Sequence, residues 1–117
     1  VSLPIVYVDD EPLLCRVFRT VLSRTGFPVH TFTDPNEALV FIRENTVGLI
    51  VSDYRMPQMT GLELLERVEA DVPFIMVSGD LGVTQWTRDN PRVLDVLTKP
   101  FRPELLLEAV REHLATA

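Results

Sequence analysis

Lysine, cysteine and tryptophan each occur once in this chain of 117 residues, and no apolar run is long enough to span a bilayer. Each scarcity excludes something. A single cysteine, Cys15, rules out an internal disulfide framework and suits a reducing compartment. It falls inside a helical pattern, where a small buried side chain is expected rather than a reactive thiol. Basic residues number eleven against seventeen acids, for a net charge of −6. That balance argues against a nucleic-acid partner, because phosphate backbones require basic patches. No basic-then-apolar leader is present, and the expectation is a cytoplasmic domain that neither enters nor lies on a membrane. The first residue is Val1 rather than Met, so a processed form or a fragment is expected. The two histidines, His30 and His113, stand far apart with no ligand spacing around either, so neither is given a metal or catalytic role.

What is present reads as one ordinary domain, 1–117. An apolar fraction of 46% with 24% charged residues is normal for a globular chain and argues against disorder. The length allows a real core and little room for a second domain. Short β-type runs alternate with helical patterns from end to end, without repeats or linkers. Strands are expected over 1–8, 28–32, 47–52, 73–78 and 93–98, the second at an edge because of polar His30. Pro12 suits the first position of a helix whose face is Leu14, Val17, Phe18, Val21 and Leu22, with Gly26 as its end. Asp34 and Thr60 open two more helices with capping chemistry, and 103–114 is the last. The segment 81–90 is poorly patterned and is cut off by Pro91. Such alternation implies a parallel sheet covered on both faces, with right-handed crossovers.

In sheets of this kind ligands bind at the carboxyl ends of the strands, near the point where strand order reverses. Asp9, Asp10, Asp53, Ser78 and the lone Lys99 all stand at such ends. Any one of these acids alone reads as a helix cap or a loop start. All three together with Lys99 read as a site. Three close carboxylates raise one another's pKa and resist ionisation. A bound Mg2+ removes that conflict, since it takes hard oxygen ligands and keeps waters that a phosphate can replace.

Val8-Asp9-Asp10-Glu11, Asp53-Tyr54-Arg55-Met56-Pro57 with Gly61 soon after, Ser78, and Lys99-Pro100-Phe101 together resemble the receiver domain of bacterial two-component response regulators. The resemblance covers nearly the whole chain, and the four motifs in order are far more specific than any one of them. It implies a flavodoxin-like α/β fold, five parallel strands in the order 2-1-3-4-5 with helices on both faces. It further implies that Asp53 accepts a phosphoryl group from a histidine kinase or histidine phosphotransfer protein. Asp10, Asp53 and the backbone carbonyl of Arg55 would bind Mg2+ directly, with Asp9 acting through water. Lys99 would pair with Asp53 and then with a phosphoryl oxygen, and Ser78 would bring its hydroxyl to the same group. The Lys99-Pro100 bond would be cis. Phosphorylation would shift a two-state equilibrium and so control an effector domain or output protein. Homodimerisation through the last two helices is left open. Such a protein catalyses only its own modification and is not otherwise an enzyme.

Three departures from the family stand out. Receivers commonly carry an aromatic residue three positions before the lysine, and Val96 takes that place here. The interval of 25 residues from Asp53 to Ser78 is short, so the third helix or its exit loop is expected to be trimmed. Ser78-Gly79-Asp80 replaces the frequent Thr-Ala pair. Arg55, two residues past Asp53, is positioned to bias the water that hydrolyses an acyl phosphate. Trp86 is either a core residue or an anchor for a partner, and Met56 with Met59 is expected to pack the loop after Asp53. Two competing readings are a phosphorylation-independent docking module, suggested by Val96, and a small aspartyl-nucleophile phosphohydrolase. The second generally needs an acid two residues past the nucleophile, where this chain has Arg55.

Overall fold

Prolines set where several strands begin. The computed structural model describes residues 3–79 and 87–115. In it β1 (Ile5–Val8), β2 (Val29–Phe32), β3 (Leu49–Asp53), β4 (Phe74–Ser78) and β5 (Val93–Thr98) form one parallel sheet in the order β2-β1-β3-β4-β5. Helices α1 (Pro12–Ser23), α2 (Pro35–Glu44), α3 (Gly61–Arg67) and α4 (Pro103–Ala115) pack on its two faces. The architecture and strand order are those expected from the sequence.

Several boundaries differ from expectation, for a common reason. Pro4, Pro28 and Pro73 have no N–H to give a ladder, so β1, β2 and β4 each start at the residue after the proline, four residues later than expected for β1 and one for β2 and β4. Their carbonyls still serve: Pro28 accepts from the Ile5 N–H at 2.8 Å and Pro73 from the Ile50 N–H at 3.0 Å. Leu3 ahead of β1 is exposed. At the other end, β3 extends through Asp53, which pairs opposite Val77. Helix α1 stops at Ser23 with Arg24 as its C-cap, and Gly26 lies beyond it at φ +85°, in the left-handed region that glycine enters freely. Val17, expected in the core, is exposed, while Cys15 is buried beside Phe18 and Leu22.

Alternation along the strands sorts the core into two layers. Val6, Val8, Ile50, Phe74, Met76 and Val96 meet α2 and α3. Ile5, Tyr7, Leu49, Val51, Ile75 and Leu97 meet α1 and α4. Both capping motifs are realised. Asp34 accepts from the Asn36 N–H at 2.9 Å, and Thr60 with Glu63 forms a reciprocal capping box.

The short interval after Asp53 has a structural counterpart, because α3 has only seven residues. Its exit toward β4 is held by a side chain from far along the chain. The Arg92 guanidinium donates to the carbonyls of Leu65 (3.1 Å), Val68 (3.0 Å), Ala70 (2.8 Å) and Val72 (3.3 Å). It also lies 5.5 Å from the centroid of the Phe74 ring. One planar fork thus adds donors to four carbonyls around the helix end, two of which already accept from local N–H groups. Arg92→Ala is expected to lose roughly 1–3 kcal/mol of stability, read by urea denaturation. Arg92→Lys should recover little of it, because one ammonium cannot reach four carbonyls.

Candidate functional site

The site residues stand where the strand ladders run out, on backbone that is still hydrogen-bonded. Asp9 N–H donates to the Phe32 carbonyl at 3.1 Å, Tyr54 N–H to Val77 at 2.8 Å, and Lys99 N–H to Ser78 at 2.9 Å. Asp9, Asp10 and Asp53 are thereby brought together, with a carboxylate oxygen from each lying within 4.8 Å of the others. Asp9 and Asp53 are buried, and Asp10 is half-buried. Lys99 Nζ lies 3.4 Å from Asp53 Oδ1 and 3.7 Å from Asp9 Oδ2. Ser78 is buried at the end of the neighbouring strand β4, and the Lys99-Pro100 peptide is cis. All five residues read from strand ends therefore share one edge of the sheet.

Burial dominates the electrostatics. It pushes the Asp53 carboxyl up to about 6 from an ordinary 3.8; the Lys99 ammonium opposes the rise, while Asp9 and Asp10 add to it. Three oxygen donors with one ammonium suit a hard divalent cation, and no histidine or thiolate intrudes. Cys15 is close by, but burial raises its thiol to about 11. That thiol donates to the Asp9 carbonyl at 3.2 Å, tying α1 to the end of β1.

Two contributors escaped the sequence reading. The Tyr7 hydroxyl donates to Asp9 Oδ2 at 2.9 Å, while Glu11 N–H holds Asp9 Oδ1 at 3.0 Å. The available signal was a single hydroxyl in an otherwise apolar strand, two residues before an acid and hence on the same face. Gly61 was noticed only as part of a motif. Its role is spatial: a Cβ there would meet the Asp53 carbonyl oxygen at 2.8 Å and Met76 Sδ at 2.5 Å. Met56 and Met59 are buried under the same loop, as expected. Arg55 is exposed, with its guanidinium 5.9 Å from the Tyr54 ring centroid. Asp80 and Trp86 lie outside the described residues.

The sequence profile of the response regulator receiver domain matches residues 5–111. The chain belongs to this family. The receiver is 33% identical over 116 residues to the regulatory protein VanRB of Enterococcus faecalis, covering 97% of the chain and 53% of VanRB. It is 36% identical over 108 residues to the two-component response regulator ARR11 of Arabidopsis thaliana, covering 87% of the chain and 20% of ARR11. Relatives thus extend beyond bacteria, and the chain spans about half the length of VanRB and a fifth of ARR11. Among solved structures, the CheY-like receiver domain protein from Methanospirillum hungatei superimposes with a TM-score of 0.88 at 27% identity, covering 99% of this receiver and 96% of that chain. Among the described residues, no helix is long and apolar enough to cross a membrane.

The raised Asp53 pKa gives a signed prediction for metal-free protein. Folding favours the protonated carboxyl, so its contribution is full below the ordinary value of 3.8 and is lost as pH rises through about 6. Asp53→Asn removes this dependence. In EDTA the variant should exceed wild type at pH 8 by up to roughly 3 kcal/mol and match it near pH 4, by chemical denaturation. Adding Mg2+ at pH 8 should narrow the difference by stabilising wild type.

Proposed function

We propose that this receiver accepts a phosphoryl group on Asp53 in a Mg2+-dependent reaction and passes the change to an output protein or effector domain. The observation that carries the reading is the meeting of Asp9, Asp10, Asp53 and the lone Lys99 at one sheet edge of a chain from this family. Asp10, Asp53 and the Arg55 backbone carbonyl would hold Mg2+ directly, and Asp9 through water. When bound, the cation neutralises charge on the carboxylates and on the incoming phosphoryl oxygens.

The steps belonging to the chain follow from its groups. An Asp53 carboxylate oxygen attacks phosphorus, an O–P bond forms, and the N–P bond to the donor histidine breaks, with the imidazole as leaving group. Lys99 Nζ, already 3.4 Å from Asp53, stabilises the negative charge that develops on a phosphoryl oxygen. The Ser78 hydroxyl, one strand away, is the group that would follow the phosphoryl oxygens inward. The donor would be a histidine kinase or histidine phosphotransfer protein in the cytoplasm. Arg55 stands where an aspartyl phosphohydrolase would need its acid, so turnover of a separate ester is not favoured.

Incubation with Mg2+ and acetyl phosphate should add one phosphoryl group, seen by intact-protein mass spectrometry. Asp53→Asn should abolish the adduct, and its persistence there would reject the assignment. Arg55 is exposed two residues past Asp53, and replacing it should change the lifetime of the acyl phosphate about 2- to 10-fold, a barrier change of order 1 kcal/mol. Equal decay of the phosphorylated wild type and Arg55→Ala would leave Arg55 as a solvated side chain.

A further inference from the structure

Every other side chain of β1 is apolar, and a phenylalanine at position 7 would fill the same space against Phe18, whose ring centroid is 5.2 Å away. The hydroxyl is what needs a reason, because burying it without a partner is costly. Its partner is Asp9 Oδ2, and this is also the oxygen that lies 3.7 Å from Lys99 Nζ. Asp9 is fully buried, so its charge must be met by donors of the protein. Glu11 N–H supplies one at Oδ1, which leaves Oδ2 to be shared by Tyr7 and Lys99. The geometry is uneven: the hydroxyl is at 2.9 Å, whereas the ammonium sits nearer Asp53 (3.4 Å) than Asp9 (3.7 Å).

We propose that Tyr7 is a positioning residue for phosphoryl acceptance: by satisfying Asp9 Oδ2 it keeps the single lysine committed to Asp53. The inference rests on the reading of Asp53 as acceptor, but its structural half concerns the unphosphorylated protein and is testable there. Without the hydroxyl, Asp9 draws the ammonium toward itself, and Asp53 loses the cation that steadies charge on the incoming group. A role in packing alone would be met by the ring, which Tyr7→Phe retains.

Lys99 is the only lysine, so lysine labelled with 13C and 15N reports one side-chain ammonium without overlap. In the unphosphorylated chain, Tyr7→Phe should shift the Lys99 Cε and Nζ resonances. Phe18→Leu, which disturbs the ring contact but keeps the hydroxyl, should leave them in place. Phosphorylation by acetyl phosphate at saturating Mg2+ should slow about tenfold in Tyr7→Phe, as expected for the loss of one hydrogen bond to a charged group. In an Asp9→Asn background, where no charge competes for the ammonium, the same substitution should add little. Coincident Lys99 signals in wild type and Tyr7→Phe would overturn the proposal, as would an undiminished tenfold effect in the Asp9→Asn background. If Tyr7→Phe does not fold, the Tyr7 Cζ resonance of the otherwise unaltered chain serves instead: it must move on Asp9→Asn, and a fixed signal refutes the contact. Failure of wild type to take up a phosphoryl group sinks the acceptor assignment separately, because the resonances are read without any phosphodonor.

Discussion

Three carboxylates and one ammonium occupy a cleft that two of the acids can barely see out of, and the sheet gives them no freedom to separate. Coulomb repulsion between like charges at this range is several-fold stronger in a partly dehydrated site than in water. Surface acids would relieve it by turning into solvent. Here the backbones bearing Asp9 and Asp53 are locked into ladders up to the acidic residue itself, through the Phe32 and Val77 carbonyls. The repulsion therefore persists in the folded state and adds to a rise in the Asp53 pKa that burial dominates. A divalent cation held among the carboxylates would convert this liability into affinity.

Reporting the change is a different problem from making it. The position that commonly holds an aromatic residue in receivers is filled by Val96, buried in the layer against α2 and α3. Its backbone is served by neighbouring side chains: the N–H by Asp95 Oδ1 at 2.8 Å and the carbonyl by Arg88 at 3.3 Å. Asp95 also lies 3.8 Å from His113 on α4. The outer edge of β5 is thus dressed with charged groups, which discourages pairing with another strand.

How much could be read from the sequence depended on whether the cause was local. The alternation of strand and helix, capping by Asp34 and Thr60, and the gathering of Asp9, Asp53 and Lys99 were legible in local pattern, whereas the strand order came with the family resemblance. The starts of β1, β2 and β4 were placed four, one and one residues too early, where a proline looked like a strand member but could lend only a carbonyl. Cys15 was buried as expected, but Val17 was misplaced, because helical periodicity gives the width of an apolar stripe more reliably than its centre. Tyr7 and Arg92 went unread for different reasons. Tyr7 had a local signal, an acid two residues on, that is easily passed over in an apolar strand, whereas the partners of Arg92 lie up to 27 residues away and are set by three-dimensional packing.

That last separation bears on how the molecule comes into being. The connection from α3 to β4 is not a self-sufficient turn: local N–H groups reach the Leu65 and Ala70 carbonyls, but these and the carbonyls of Val68 and Val72 all accept from Arg92, which lies 20 to 27 positions later. A nascent chain that has emerged only through β4 has every residue of that connection and none of its clasp. The hydrogen bonding of this connection is complete only once Arg92, just ahead of β5, is in place.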